Sequence, residues 1–146
     1  MAMNITPAGE AIVEAARALT AQIRAAGEEI EAGRRLPQTI VDAMKRAGVF
    51  RMTMPREWGG PEVDPLTQIR VIEALSYADG SVGWCAMINS GGGYFSAYLE
   101  PKMGREMYHD LDAPTGQPAL YRACRGCGRR LSNQWTMALR QRMYPL

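Results

Sequence analysis

Histidine is almost absent from this sequence: His109 is the only one in 146 residues. A lone imidazole provides no His pair for a metal, no Ser-His arrangement is evident around it, and no paired aspartates stand where one could act as acid and the other as base. His109 itself reads as a solvated residue at a helix end. Cysteine is scarce too. Its three residues are an odd number without disulfide-like spacing and with no signal peptide before them, which points to a reducing, cytoplasmic setting. Long hydrophobic runs are also missing. The most apolar stretch, Val82 to Leu99, is interrupted by Asn89 and by Gly91-Gly92-Gly93, so no membrane span is expected. There is no βαβ alternation and no internal repeat, which excludes a doubly wound sheet or a solenoid.

Acid is absent from one end. The last thirty residues hold six Arg and no Asp or Glu, whereas residues 1–116 hold all 15 acids and 11 of the 17 Lys and Arg. The overall charge of +2 therefore divides into about −4 for the body and about +6 for the tail.

What is present in the body is helical patterning, and the class is all-α. Thr6 can cap a helix opened by Pro7, after which Ile12, Ala16, Leu19, Ile23, Ala26 and Ile30 step along one face as far as Gly33. A second helix from Pro37 buries Ile40, Val41, Met44 and Ala47 and ends at Gly48, which suits the left-handed residue that closes a helix. Gly59-Gly60-Pro61 marks a tight turn. Asp64 and Pro65 begin the next helix, with Leu66, Ile69, Ile72 and Leu75 as its apolar stripe. Ser81 is the expected cap of a helix running from Val82 to about Leu99, and Pro101 opens one reaching His109. Ile23, Ile30, Met44, Ile69, Ile72, Leu75 and Leu99 are the expected common core.

Three features could carry chemistry. Three consecutive glycines in a helical stretch cost about 1 kcal/mol each relative to Ala. Close packing against a helix or a flat ring would offset that, and a simple helix break is the alternative. A phosphate loop is disfavoured, since no strand precedes and no Gly-Lys-Ser/Thr follows. Cys124-x-x-Cys127 supplies only half of a tetrahedral zinc set, so no metal is expected. The arginine-rich tail could neutralise phosphates, but its aromatics are too scattered for a nucleic-acid surface, and no nucleic-acid partner is expected.

Two motifs point to a family. "GVFRMTMPREWGG", Gly48 to Gly60, resembles a Gly-hydrophobic…Pro-x-x-x-Gly-Gly link between early helices, and Ala78 to Trp84 resembles the helix turn Ala-Asp-x-Ser-x-Gly-Trp. In this order and spacing they resemble the N-terminal helical domain of the acyl-CoA dehydrogenase family, which includes a flavin-dependent monooxygenase branch. The resemblance covers residues 10–116. It implies a complete enzyme in which a β-domain binds FAD or FMN and a C-terminal helical bundle carries the dehydrogenases' catalytic carboxylate and the oligomer interface. The implied chemistry is either dehydrogenation of an acyl-CoA or oxygenation of an aromatic substrate. Trp84 would then stand at the flavin-facing and substrate-facing wall, with Met87, Ile88, Gly91, Gly92 and Tyr94 lining the pocket. Monooxygenase members often carry a His near Gly92, and its absence here argues against that branch. No catalytic residue is expected on this chain, no flavin is expected to stay on it alone, and a homo-oligomer is expected only at full length. The other reading is a stand-alone helical protein-interaction module.

The resemblance also makes sense of the tail. Trp and Met have single codons, so shifting residues 135–144 forward by one nucleotide forces Gly-x-Trp-x-x-x-x-x-Cys, which is similar to the opening β-domain motif of the family. Residues 1–116 are thus the expected helical domain, and 117–146 an out-of-frame or disordered extension starting near Thr115–Gln117.

Overall fold

The structure, a computed structural model, describes residues 6–114. Its first helix begins where the sequence places it. The Thr6 hydroxyl accepts the Gly9 amide at 3.1 Å, and Pro7 takes the first helical position, where a missing N–H costs nothing. The long helix expected to Gly33 is delivered as α1 (Pro7–Ala18), α2 (Thr20–Ala25) and α3 (Gly27–Gly33). The breaks at Leu19 and Ala26 are shallow, because Ile23 N–H still bonds to the Leu19 carbonyl and Ile30 N–H to that of Ala26. The apolar face therefore runs through: Ile12, Ala16, Ile23 and Ile30 are buried, and Leu19 and Ala26 pack beside them.

Helix α4 (Gln38–Arg46) buries Ile40, Ala43 and Met44. Gly48 closes it at φ 78°, its N–H bonding the Lys45 carbonyl while Val49 N–H bonds that of Met44. This paired closure needs a left-handed residue, which glycine adopts without a Cβ penalty. The chain then leaves helical geometry without leaving the core: Val49, Phe50, Met52, Thr53 and Met54 are all buried. A 3-10 turn (Arg56–Trp58) reverses it, and the returning segment pairs back, Glu62 N–H to Met54 O and Val63 N–H to Met52 O.

Asp64 caps α5 (Pro65–Ala78) by accepting the amides of Leu66 at 3.0 Å and Thr67 at 3.1 Å. This helix is the centre of the bundle, packed against α1, α2 and α6 (Gly80–Asn89). The approach of α5 and α6 is close enough that a Cβ on Gly83 would strike Ser76. Helices α7 (Gly92–Ser96) and α8 (Pro101–Met107) complete the described chain, α8 capped by the Glu100 carboxylate. Gly104 of α8 sits under Trp58, and Trp58 meets Tyr108 with ring centroids 6.2 Å apart.

The fold class is all-α, as the sequence implies, and no strand occurs among the described residues. Four expectations are corrected. Ile69 lies 58% exposed, because the buried face of α5 is Thr67, Val71 and Leu75, about one position out of phase with the stripe read from the sequence. Leu99 is only partly buried. Asp79, not Ser81, caps α6, and the Ser81 hydroxyl itself donates to Asp79. The helix expected from Val82 to Leu99 is interrupted at Ser90–Gly91. The two cysteines of Cys124-x-x-Cys127 and the proposed out-of-frame tail lie outside the described residues.

Candidate functional site

Between Asp79 and Glu100 the chain carries no charged residue for twenty positions, and this stretch forms α6 and α7. Its inner side, Val82, Gly83 and Ala86, packs into the core. Helical spacing then turns Trp84, Met87 and Ile88 together to the outer side, where they are 62%, 39% and 51% exposed. Leaving one such side chain in water is ordinary; three neighbouring ones on an uncharged helix make this the candidate contact surface.

The break between the two helices is built rather than loose. Thr53, in the buried segment after α4, donates its hydroxyl to the Ser90 carbonyl and accepts the Gly93 amide at 3.2 Å. Gly93 has no room for a side chain, since a Cβ there would enter the Thr53 carbonyl. The Ser96 hydroxyl donates to the Gly93 carbonyl at 2.7 Å. Of the alternatives for the glycine triplet, close packing and a helix break are therefore both present, and the packing partner is the chain's own backbone. Gly91 lies beneath the Phe95 ring, and Gly92 is buried.

Tyr94, 43% exposed, reaches toward α5, and its phenol donates to Gln68 Oε1 at 2.9 Å. The Gln68 amide nitrogen in turn donates to Ser90 Oγ at 3.3 Å. Burial, then the Asp64 carboxylate, pushes the Tyr94 phenol above its usual range, so it stays protonated at neutral pH. Cys85 is half-buried, and burial followed by the Asp79 carboxylate raises its thiol, which leaves little thiolate to act as a nucleophile.

Of the residues singled out in the sequence, Trp84, Met87 and Ile88 are exposed together on α6, Tyr94 is exposed on α7 and bonded to Gln68 of α5, Gly91 lies at the break beside Phe95, and Gly92 is buried. Gln68, Ser90 and Thr53 were not legible as site residues. The available signal was a polar residue set within apolar neighbours, as Thr53 is between Met52 and Met54.

Two grooves lie elsewhere. One, between α1, α4 and the Gly59–Gly60 turn, includes Lys45 and Arg51; the other surrounds Trp58, Arg105 and His109. Of their cations, Lys45 is paired with Asp110 at 3.0 Å, Arg51 with Asp112, and Arg105 lies over the Trp58 ring. No cluster of His, Cys, Asp or Glu suited to a metal occurs among the described residues, and no described helix is long and apolar enough to cross a membrane.

Residues 6–100 match the family model of the acyl-CoA dehydrogenase N-terminal domain. The chain is 35% identical over 91 residues to the indole-3-acetate monooxygenase of Pseudomonas putida, covering 62% of this chain and 22% of that protein. It is 34% identical over 71 residues to the oxygenase subunit HsaA of a flavin-dependent monooxygenase of Rhodococcus jostii, covering 49% and 19%. Among solved structures it resembles the 3-HSA hydroxylase of Rhodococcus sp. RHA1 with a TM-score of 0.66 at 25% identity, covering 70% of this chain and 27% of that one. The chain thus spans about a fifth of the length of these curated relatives. Their names are those of monooxygenases although this chain has no His near Gly92.

Proposed function

The chain belongs to the acyl-CoA dehydrogenase family through its N-terminal domain, and from that premise we propose that it is the substrate-side wall of a flavin-dependent monooxygenase acting on an aromatic compound. The observation that carries the proposal is the uncharged outer face of α6 and α7, in which Trp84, Met87 and Ile88 stand open to solvent within a region similar to monooxygenases of flavin type. A flat, apolar ring fits that face: nothing charged lies along it, and Gly91 leaves room beside Phe95. Trp84 and Ile88 would bury one side of a planar ligand, and the Thr53–Gly93 lock would hold their helices at a fixed angle.

A flavin bound in the complete enzyme would supply the two electrons that let O2 place one atom on the aromatic ring and release the other as water. FAD and FMN both suit the face. The residues of this chain contribute shape and water exclusion, and the chain provides no base of its own at the wall. One wall cannot bury most of a ligand's surface, which tight small-molecule sites require. The 146-residue chain alone is therefore inactive and retains no flavin. We further propose that residues 117–146 are an out-of-frame extension of a 1–116 domain.

Purification of two proteins tests this reading. The chain as given should be colourless, whereas a version with the frame restored near codon 116 and the downstream sequence included should be yellow, oligomeric and able to hydroxylate aromatic acids or phenols. Stoichiometric flavin surviving gel filtration on the short chain would overturn it and favour a self-contained binding module.

A further inference from the structure

Arg51 and Thr53 stand two residues apart in a single turn, closed by the Met54 N–H on the Arg51 carbonyl at 2.9 Å, yet they hold different parts of the molecule. Thr53 is buried and grips the α6–α7 break through the Ser90 carbonyl and the Gly93 amide. Arg51 is the one residue from Val49 to Met54 that is not buried, and it meets Asp112 at two points: Nε donates to Oδ1 at 2.6 Å and Nη2 donates to Oδ2. A two-point contact between guanidinium and carboxylate fixes direction as well as distance. The Asp112 side chain is only 17% exposed, so this pair is better sheltered than the open Lys45–Asp110 pair beside it.

Asp112 lies on a short strap that follows α8. Tyr108 ends that helix, buried against Trp58, with its N–H on the Gly104 carbonyl at 2.9 Å. Beyond it Asp110 organises the strap, accepting the Asp112 amide on its side chain at 3.0 Å and the Ala113 amide on its carbonyl at 3.1 Å. One end of the strap is therefore held by apolar packing and the other by charge. We propose that Arg51 and Asp112 form a positioning contact: the strap holds the Arg51–Met54 turn from outside and so steadies the Thr53 hydroxyl on the α6–α7 break. Opening of the strap and loosening of the break are then linked, and a linkage between two sites acts equally in both directions. This linkage needs no bound ligand. Where the α6–α7 face is the substrate wall, the strap also sets how firmly that wall is held.

Hydrogen exchange followed by NMR on the 146-residue chain tests the linkage, with the Gly93 amide reporting the break, the Arg51 Nε–H and the Ala113 amide the strap, and the Leu75 amide of α5 as the internal reference. Asp112→Asn, which removes the charge and keeps the shape, should speed Gly93 exchange about three- to tenfold relative to Leu75. Thr53→Val, which alters nothing on the strap, should speed the Arg51 and Ala113 signals by a comparable factor. Sodium chloride at about 1 M, where charges are screened within about 3 Å, should speed Gly93 in the unaltered chain and have little effect on it in Asp112→Asn. Gly93 exchange that keeps its ratio to Leu75 in Asp112→Asn, whether both stay slow or both accelerate together, would overturn the proposal. So would strap signals that do not respond to Thr53→Val. Neither result bears on the substrate-wall reading, since no flavin or substrate enters the measurement.

Discussion

A methyl group added two residues apart should have opposite consequences. At Gly93 it meets the carbonyl of Thr53, a backbone group that cannot swing aside, whereas at Gly91 it meets the Phe95 ring at 3.6 Å, an ordinary contact. Gly93→Ala is expected to cost about 1–3 kcal/mol or more by overpacking, and Gly91→Ala less than about 0.5 kcal/mol, both read from urea unfolding midpoints. Acid sensitivity is set at the same scale. Asp79 is held below the usual carboxylate range, first by the Ser81 hydroxyl and then by the amides of Val82 and Ser81 against the opposing effect of burial; Asp64 is held low first by the Thr67 hydroxyl. A carboxylate whose folded-state value is depressed contributes its stability above the unfolded-state value and loses it as pH falls through the folded one. Stability should thus be full at neutral pH and fall once the solution is acid enough to protonate these two carboxylates in the folded state. Asp79→Asn, which keeps a capping oxygen but does not titrate, should flatten part of that fall, and Asp79→Ala should cost about 0.5–2 kcal/mol at neutral pH.

Helix α5 shows at the level of an element where reading a sequence succeeds and where it slips. Its start was legible because the cap is local: Asp64 and Pro65 act on amides two and three residues away. The same holds for Thr6 with Pro7, for Gly48 and for Pro101. Its buried face was misread because two stripes compete. Leu75 belongs to both, but Leu66 and Ile69 look more apolar than Thr67, and Thr67 is nonetheless buried with its hydroxyl satisfied by Asp64 at 2.6 Å, which removes the penalty that polarity suggests. Leu75→Ala should therefore cost about 2–5 kcal/mol, while Ile69→Ala should change thermal stability by less than about 0.5 kcal/mol. A large loss at Ile69 would restore the stripe read from the sequence. The α6–α7 break was hidden for a different reason: it depends on Thr53 and Gly93, forty residues apart, and pattern within a window cannot register a partner so distant. For the candidate site, the family motif singled out Trp84, and Met87 and Ile88 followed from their place beside the glycines, whereas the Gln68–Ser90 contact gave no sequence signal.

For the molecule as a whole, the stabilising core and the open face are separable. Trp84 contributes little to holding the bundle together, so Trp84→Ser should leave the unfolding midpoint of this chain within about 0.5 kcal/mol of its value while removing the Trp84 wall that a longer, flavin-containing protein would use. Loss of flavin or substrate affinity without loss of stability, measured on that longer protein, is the expected pattern. The segment from Val49 to Met54 has the reverse character. It belongs to no helix, yet all of it but Arg51 is buried, and its returning partner locks the amides of Glu62 and Val63 onto its carbonyls. Deuterium should reach the Glu62, Val63 and Gly93 amides no faster than it reaches the centre of α5, so the slowest-exchanging nucleus of this molecule would include a stretch that a helix map leaves blank. Inheritance should treat it likewise: between α4 and α5, where connecting chain ordinarily tolerates insertions, a single added residue would slide Thr53 off both Gly93 and Ser90 and unfasten the α6–α7 break.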